Sequence, residues 1–129
     1  MSKPVFEDLF RFSGRRNRKS YALYFLAMLM MIAVTFSVAT VSALESKNES
    51  SFILGIGLLT LESLVFLIPS VAVGGQRCRD FGWTGWAYLL VIVPYVGWIF
   101  GLALLFIPGT DGPNRYGPNP IGNHLKDSL

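Results

Sequence analysis

The sequence predicts an all-α membrane protein: three transmembrane helices preceded by a short amphipathic helix lying on the membrane surface. Three observations predict it. Of the 129 residues, 52% are hydrophobic and 15% charged, against about 25% charged in an ordinary soluble domain, so too few charges remain to coat a soluble surface. The apolar residues gather in long blocks instead of recurring at a helical or strand period, the pattern of segments solvated by lipid on all sides. No block alternates apolar with polar residues, and an open strand edge in hydrocarbon would leave backbone groups unpaired, so helices are the expected spanning element.

The leader, residues 1–20, carries Val5, Phe6, Leu9 and Phe10 at a spacing that makes one side of a short helix apolar. The basic run behind it would favour anionic headgroups, by roughly 1 kcal/mol per residue near the surface. The alternative is an unstructured leader whose arginines only set topology.

A membrane domain, 21–110, follows, and its blocks are judged against the roughly 20 apolar residues that cross a core of about 30 Å. The first, 21–44, has no charge. It is too long and too far from the N-terminus for a secretory signal, so it is expected to be retained. The second, 52–73, contains one charged residue, Glu62. The third, 86–107, lies within an uncharged stretch but is interrupted by Pro94, Gly97 and Gly101. Pro94 removes a backbone donor there, and a re-entrant hairpin is the alternative to a full crossing. Tyr21, Tyr24, Trp83, Trp86 and Tyr88 fall at block ends, where aromatic rings anchor at headgroup level. A polar tail, 111–129, completes the chain.

Basic residues are held on the cytoplasmic side. The leader has six (Lys3, Arg11, Arg15, Arg16, Arg18, Lys19), the first loop Lys47, the second loop Arg77 and Arg79, and the tail Arg115 and Lys126. Three crossings divide them eight against three, which predicts a cytoplasmic N-terminus and a periplasmic C-terminus.

Several segments together carry a resemblance: Phe12-Ser13-Gly14-Arg15 with Arg18 and Tyr21; residues 68–73 leading to Arg77-Cys78-Arg79-Asp80; Gly85-Trp86; Pro94 with Gly97; and Asn114-Arg115-Tyr116-Gly117-Pro118-Asn119-Pro120. Their order and spacing resemble the YhaH-like family of small bacterial inner-membrane proteins, whose domain is of unknown function. The resemblance implies a bacterial inner membrane and no particular activity. The chain departs from the family pattern in the second loop, where Gln76, Cys78 and Arg79 stand in place of the usual Arg, Leu and His, and at Ala22 in place of Trp. A mechanism requiring an imidazole in that loop does not fit this chain.

Catalytic constellations are sparse. The single Cys and single His, Cys78 and His124, fall on opposite sides of the three-span topology, which excludes a Cys/His metal cluster or nucleophile pair. Gly82-Trp83-Thr84-Gly85 lacks the lysine and strand context of a phosphate loop. No enzyme activity, cofactor or metal is expected.

Glu62 is the intramembrane candidate, because a charge at mid-bilayer costs roughly 2.5 to 3.5 kcal/mol and such residues often serve ions or protons. The plainer reading is an uncharged carboxyl bonded to a backbone carbonyl or to a hydroxyl such as Thr35 or Ser37. Gly97 and Gly101 form a Gly-x-x-x-Gly pair suited to close helix contact, within the chain or in a homo-oligomer. Arg15, Arg18, Arg77, Arg79 and Asp80 form a candidate interface cluster, read either as a salt-bridged network or as a pocket for an anionic lipid headgroup. Asn114, Arg115, Tyr116 and Gly117 make a tight turn of unassigned role.

The expected partners are membrane lipids, a second copy or another membrane protein, and not nucleic acid. A non-catalytic lipid- or partner-binding component ranks first, a small oligomeric transporter or channel second and a lipid-headgroup enzyme third.

Overall fold

The computed structural model describes residues 4–46 and 49–121, the side chain of Ser46 excepted. Lys3, Lys47, His124 and Lys126 lie outside the described residues, as does the tail beyond residue 121. Two long helices, α1 (Arg18–Ser46) and α2 (Glu49–Asp80), are followed by a 3-10 helix (Gly85–Ile92) and a short α3 (Val96–Phe106). The described residues contain no strand, only an isolated bridge between Asn114 and Gly117.

Asn17 starts α1. Its Oδ1 accepts the Ser20 backbone N–H at 3.2 Å, the N-cap arrangement that satisfies one donor of the first turn. At about 1.5 Å per residue, α1 and α2 are roughly 44 and 48 Å long, enough to cross a bilayer with its headgroups, whereas α3 is only about 16 Å. The most apolar 18-residue window of each long helix is only 6% buried within the protein. A core helix of a soluble protein is mostly covered by its own chain, so these faces require lipid or another protein.

The chain divides into two compact units whose boundaries fall inside α1 and α2. One is Phe25–Ile68, a pair of helix segments exposing Leu26, Met30, Phe36, Leu54 and Leu64. A Cβ on Gly55 would stand 2.6 Å from the Ala39 Cβ, so the absence of a side chain at Gly55 is what permits this approach. The other unit joins residues 4–24 to residues 69–121 and contains the buried polar groups.

Two expectations are corrected in the second unit. The leader does not form an amphipathic helix: residues 5–10 are consecutive turns, and Asp8 takes a left-handed φ of 54°. The physical reason is competition for carbonyls. Arg16 takes those of Pro4, Val5 and Glu7, and Gln76 takes those of Asp8 and Arg11, leaving few acceptors for a helical ladder.

Nor is 86–107 one continuous helix. Pro94 lacks an N–H and disfavours helical geometry at the preceding residue. Val93 is accordingly extended (φ −72°, ψ 121°) and Tyr95 adopts φ 63°. The 3-10 helix and α3 pack against each other across this break, with Gly97 against the Val91 backbone and Trp83 stacked on Phe100 at 6.2 Å. Tyr88 lies over Gly74, where any Cβ would collide with its ring, and it hydrogen-bonds Tyr21. Tyr21 and Tyr24 are thus buried packing residues, with the Tyr24 hydroxyl 3.1 Å from Ser70 Oγ.

Candidate functional site

The last turn of α2 sets Arg77 and Asp80 three residues apart and hence on one helix face. Arg77 is fully buried. Its Nη1 donates to Asp80 Oδ2 at 2.6 Å, its Nε to the Leu104 carbonyl at 2.9 Å and its Nη2 to the Ile107 carbonyl. Those carbonyls end α3, where no following turn supplies donors, so Arg77 caps α3 with the sign of charge its dipole favours.

Arg15 meets the same carboxylate from the leader. Its Nε donates to Asp80 Oδ1 at 3.1 Å and its Nη2 pairs with that oxygen at 3.0 Å. Its remaining donors reach the carbonyls of Asp80 (3.2 Å), Thr110 (2.7 Å), Gly112 (2.7 Å) and Gly117 (3.3 Å). Thr110 returns its backbone N–H to the Asp80 carbonyl at 2.8 Å. Gly109 is required beside it, because any Cβ would collide with the Asp80 carboxylate.

These bonds, two of them 2.7 Å long, tie the segment around residues 110–117 directly to the leader and to the end of α2. The 3-10 helix and α3 also leave and rejoin the end of α2. Gly85 lies on the Arg79 guanidinium, with 2.5 Å between its would-be Cβ and Nη2, while Leu104 and Ile107 bind Arg77.

Two residues outside the expected cluster are equally deep in it. Arg16 is fully buried, donating through Nε to Gln76 Oε1 at 3.1 Å and through Nη1 to Ser20 Oγ at 2.7 Å. Burial pulls its pKa below the usual arginine value, against the raising effect of Asp8 and Glu7. Gln76 is the departure from the family pattern that gives this contact its chemistry, since an amide oxygen accepts from Arg16 and an arginine could not. The only sequence signal for the pair is that departure beside an unusually basic leader.

Other candidates fall apart from this core. Arg18 is exposed, and among the described residues its one bond is a 3.5 Å contact to the Phe106 carbonyl. Arg79 is half-buried and donates to the Gly14 carbonyl at 3.3 Å; among the described residues it has no carboxylate partner. Asn114 ties the tail to α2 through Nδ2, which reaches the Arg79 carbonyl and Thr110 Oγ1, both at 2.9 Å. Arg115 lies over the Tyr116 ring at 4.8 Å and binds the Gly82 carbonyl, and Gly117 holds φ 130°. Gly97 is in contact with Val91, whereas no atom lies within 4 Å of a Cβ placed on Gly101.

Glu62 belongs to the Phe25–Ile68 unit. Both its carboxyl oxygens are covered and neither has a hydrogen-bond partner, so the expected bond to Thr35 or Ser37 is not formed; Ser37 instead bonds the Ala33 carbonyl. Cys78 is a buried free thiol. Among the described residues, no group of three His, Cys, Asp or Glu is placed to hold a metal.

Over residues 9–118 the chain matches the family described as "Protein of unknown function (DUF805)", and it belongs to that family. It is 29% identical over 117 residues to "Inner membrane protein YhaH" of Escherichia coli (strain K12), covering 90% of this chain and 92% of that one. It is 32% identical over 119 residues to "Inner membrane protein YhaI" of the same organism, covering 90% and 91%. The resemblance carried by the motifs is therefore borne out, and the two long apolar helices are the segments such a location requires. No solved structure matches the chain significantly.

Proposed function

We propose that this family member is a non-catalytic component of the bacterial inner membrane that crosses it twice, through α1 and α2, and offers anionic lipid a rigid platform on the cytoplasmic face. The observation that carries the reading is the sharing of Asp80 by Arg15 and Arg77. It supports placing the leader, the end of α2 and the tail on one side, with residues 85–107 dipping into the near leaflet and returning. On that topology all eight Lys and Arg of the described residues lie together, whereas three crossings would set Arg115 opposite the other seven. Arg15, Arg16 and Arg77 are committed to internal bonds, which leaves Arg11, Arg18, Lys19 and Arg115 at the surface to attract anionic headgroups.

The test is native mass spectrometry of the full chain extracted in mild detergent. Anionic phospholipid should be retained well beyond its share of the membrane; retention in proportion to abundance overturns the platform. The second reading, a small oligomeric transporter or channel, draws support from Glu62, whose unpartnered carboxyl is costly in a membrane unless it serves something. Solute flux from reconstituted vesicles separates the two.

A further inference from the structure

Arg79, in the last turn of α2, is only half-buried and, among the described residues, is not spent on a carboxylate. Its guanidinium lies on Gly85, with Nε 2.8 Å and Nη2 2.5 Å from a Cβ built there, and Gly75 keeps a second approach open. Among the described residues, only one of its nitrogens makes a hydrogen bond, to the Gly14 carbonyl. The fork faces a pocket of about 480 Å³ whose lining is split in character: Arg79, Thr84 and Tyr116 are polar, and Phe12, Val71 and Trp86 apolar. Thr84 precedes the 3-10 helix without its side chain capping it and lines the same pocket as Arg79. Phe12 and Trp86 are both exposed.

We propose that this pocket binds the phosphodiester of a phospholipid, with the Arg79 fork and the Thr84 hydroxyl on the phosphate oxygens and Phe12, Val71 and Trp86 against the glycerol and first acyl carbons. A planar guanidinium matches two phosphate oxygens at once, and its lack of a carboxylate partner leaves a charge that an anion would compensate. The apolar walls select an amphiphile over free phosphate, which has nothing to place against them. Placement at the pocket mouth suits Trp86, since an indole ring prefers headgroup level. This inference rests on the platform reading for its membrane side but names one site within it.

Lipid retention by the full chain in detergent tests it, comparing wild type with Arg79→Gln, Arg79→Lys and Trp86→Ala, and with Thr60→Ala, exposed and outside both pocket and platform. One phospholipid should remain bound to wild type, with affinity falling roughly ten- to a hundredfold in Arg79→Gln, since a charged hydrogen-bonding group is lost. Arg79→Lys should recover only part of this, Trp86→Ala should weaken binding with every charge retained, and Thr60→Ala should leave it unchanged. Wild-type retention in both Arg79→Gln and Trp86→Ala overturns the pocket while leaving any general anionic preference, and hence the platform, intact. Should Arg79→Gln fail to fold, undiminished binding in Trp86→Ala overturns it by itself. Displacement of the lipid by millimolar inorganic phosphate, with phosphate then bound equally well alone, overturns the lipid as ligand.

Discussion

Arg15 and Asp80 stand 65 residues apart in sequence and form an ion pair at 3.0 Å with their side chains 1% and 4% exposed. Buried charges are costly unless paired and fully hydrogen-bonded, and here Arg77 completes the compensation at 2.6 Å. Removing the acid strands two buried guanidinium groups. Asp80→Asn should destabilise the protein by about 3 to 5 kcal/mol, read as a loss of denaturant midpoint in detergent. A double-mutant cycle should show coupling of Asp80 to Arg15 and to Arg77, and coupling near zero to Arg18, which is exposed and bonds the Phe106 carbonyl. Equal coupling to Arg18 would contradict the geometry.

The proposal of two crossings makes a sided prediction. In a Cys78→Ser background, single cysteines at Ser13 and Asp111, both exposed, should react with an impermeant thiol reagent from the same face of the membrane, and one at exposed Glu49 from the other. Labelling of Asp111→Cys from the Glu49 face would restore three crossings. Native Cys78 is no reporter, because it is completely buried and should stay unlabelled from either side.

The two glycines of the Gly-x-x-x-Gly pair should behave differently. Gly97 faces the Val91 carbonyl so closely that even Ala cannot fit without movement, and Gly97→Ala should lower the melting temperature despite alanine's better helix propensity. Gly101→Ala meets open space and should be neutral or stabilising by up to about 1 kcal/mol. Equal losses at both positions would instead indicate that Gly101 is covered by another chain.

Glu62 offers a test of purpose. A covered carboxyl with no partner lowers stability by roughly 1 to 3 kcal/mol, so Glu62→Leu should raise the melting temperature of the isolated protein. A fall would show that the carboxyl has a partner supplied from outside the chain, which is what the oligomeric reading requires.

Much of the protein is legible in one dimension. The charge-free run behind Arg18 and the long block around Glu62 are properties of composition and length, and they suffice for two lipid-solvated helices because hydrocarbon solvation acts residue by residue. Family membership was carried in the same way by ordered short motifs. The third block was not legible at Pro94: hydropathy registers 22 positions equally whether the helix is continuous or broken, and only Val93, Tyr95 and the packing of Gly97 on Val91 show the break.

The sequence by itself thus determined the membrane class, the two long helices, the family and the residues worth testing at the ends of the blocks. Tertiary structure decided their partners. Five arginines and Asp80 admit several pairings, and the pairing found here, Arg15 and Arg77 on Asp80, Arg16 on Gln76, Arg18 on the Phe106 carbonyl and Arg79 left facing a pocket, depends on which carbonyls α3 and the tail bring within about 3 Å. That reach falls off too steeply with distance for spacing along the chain to specify it, whereas the length of an apolar helix is written directly in the order of its residues.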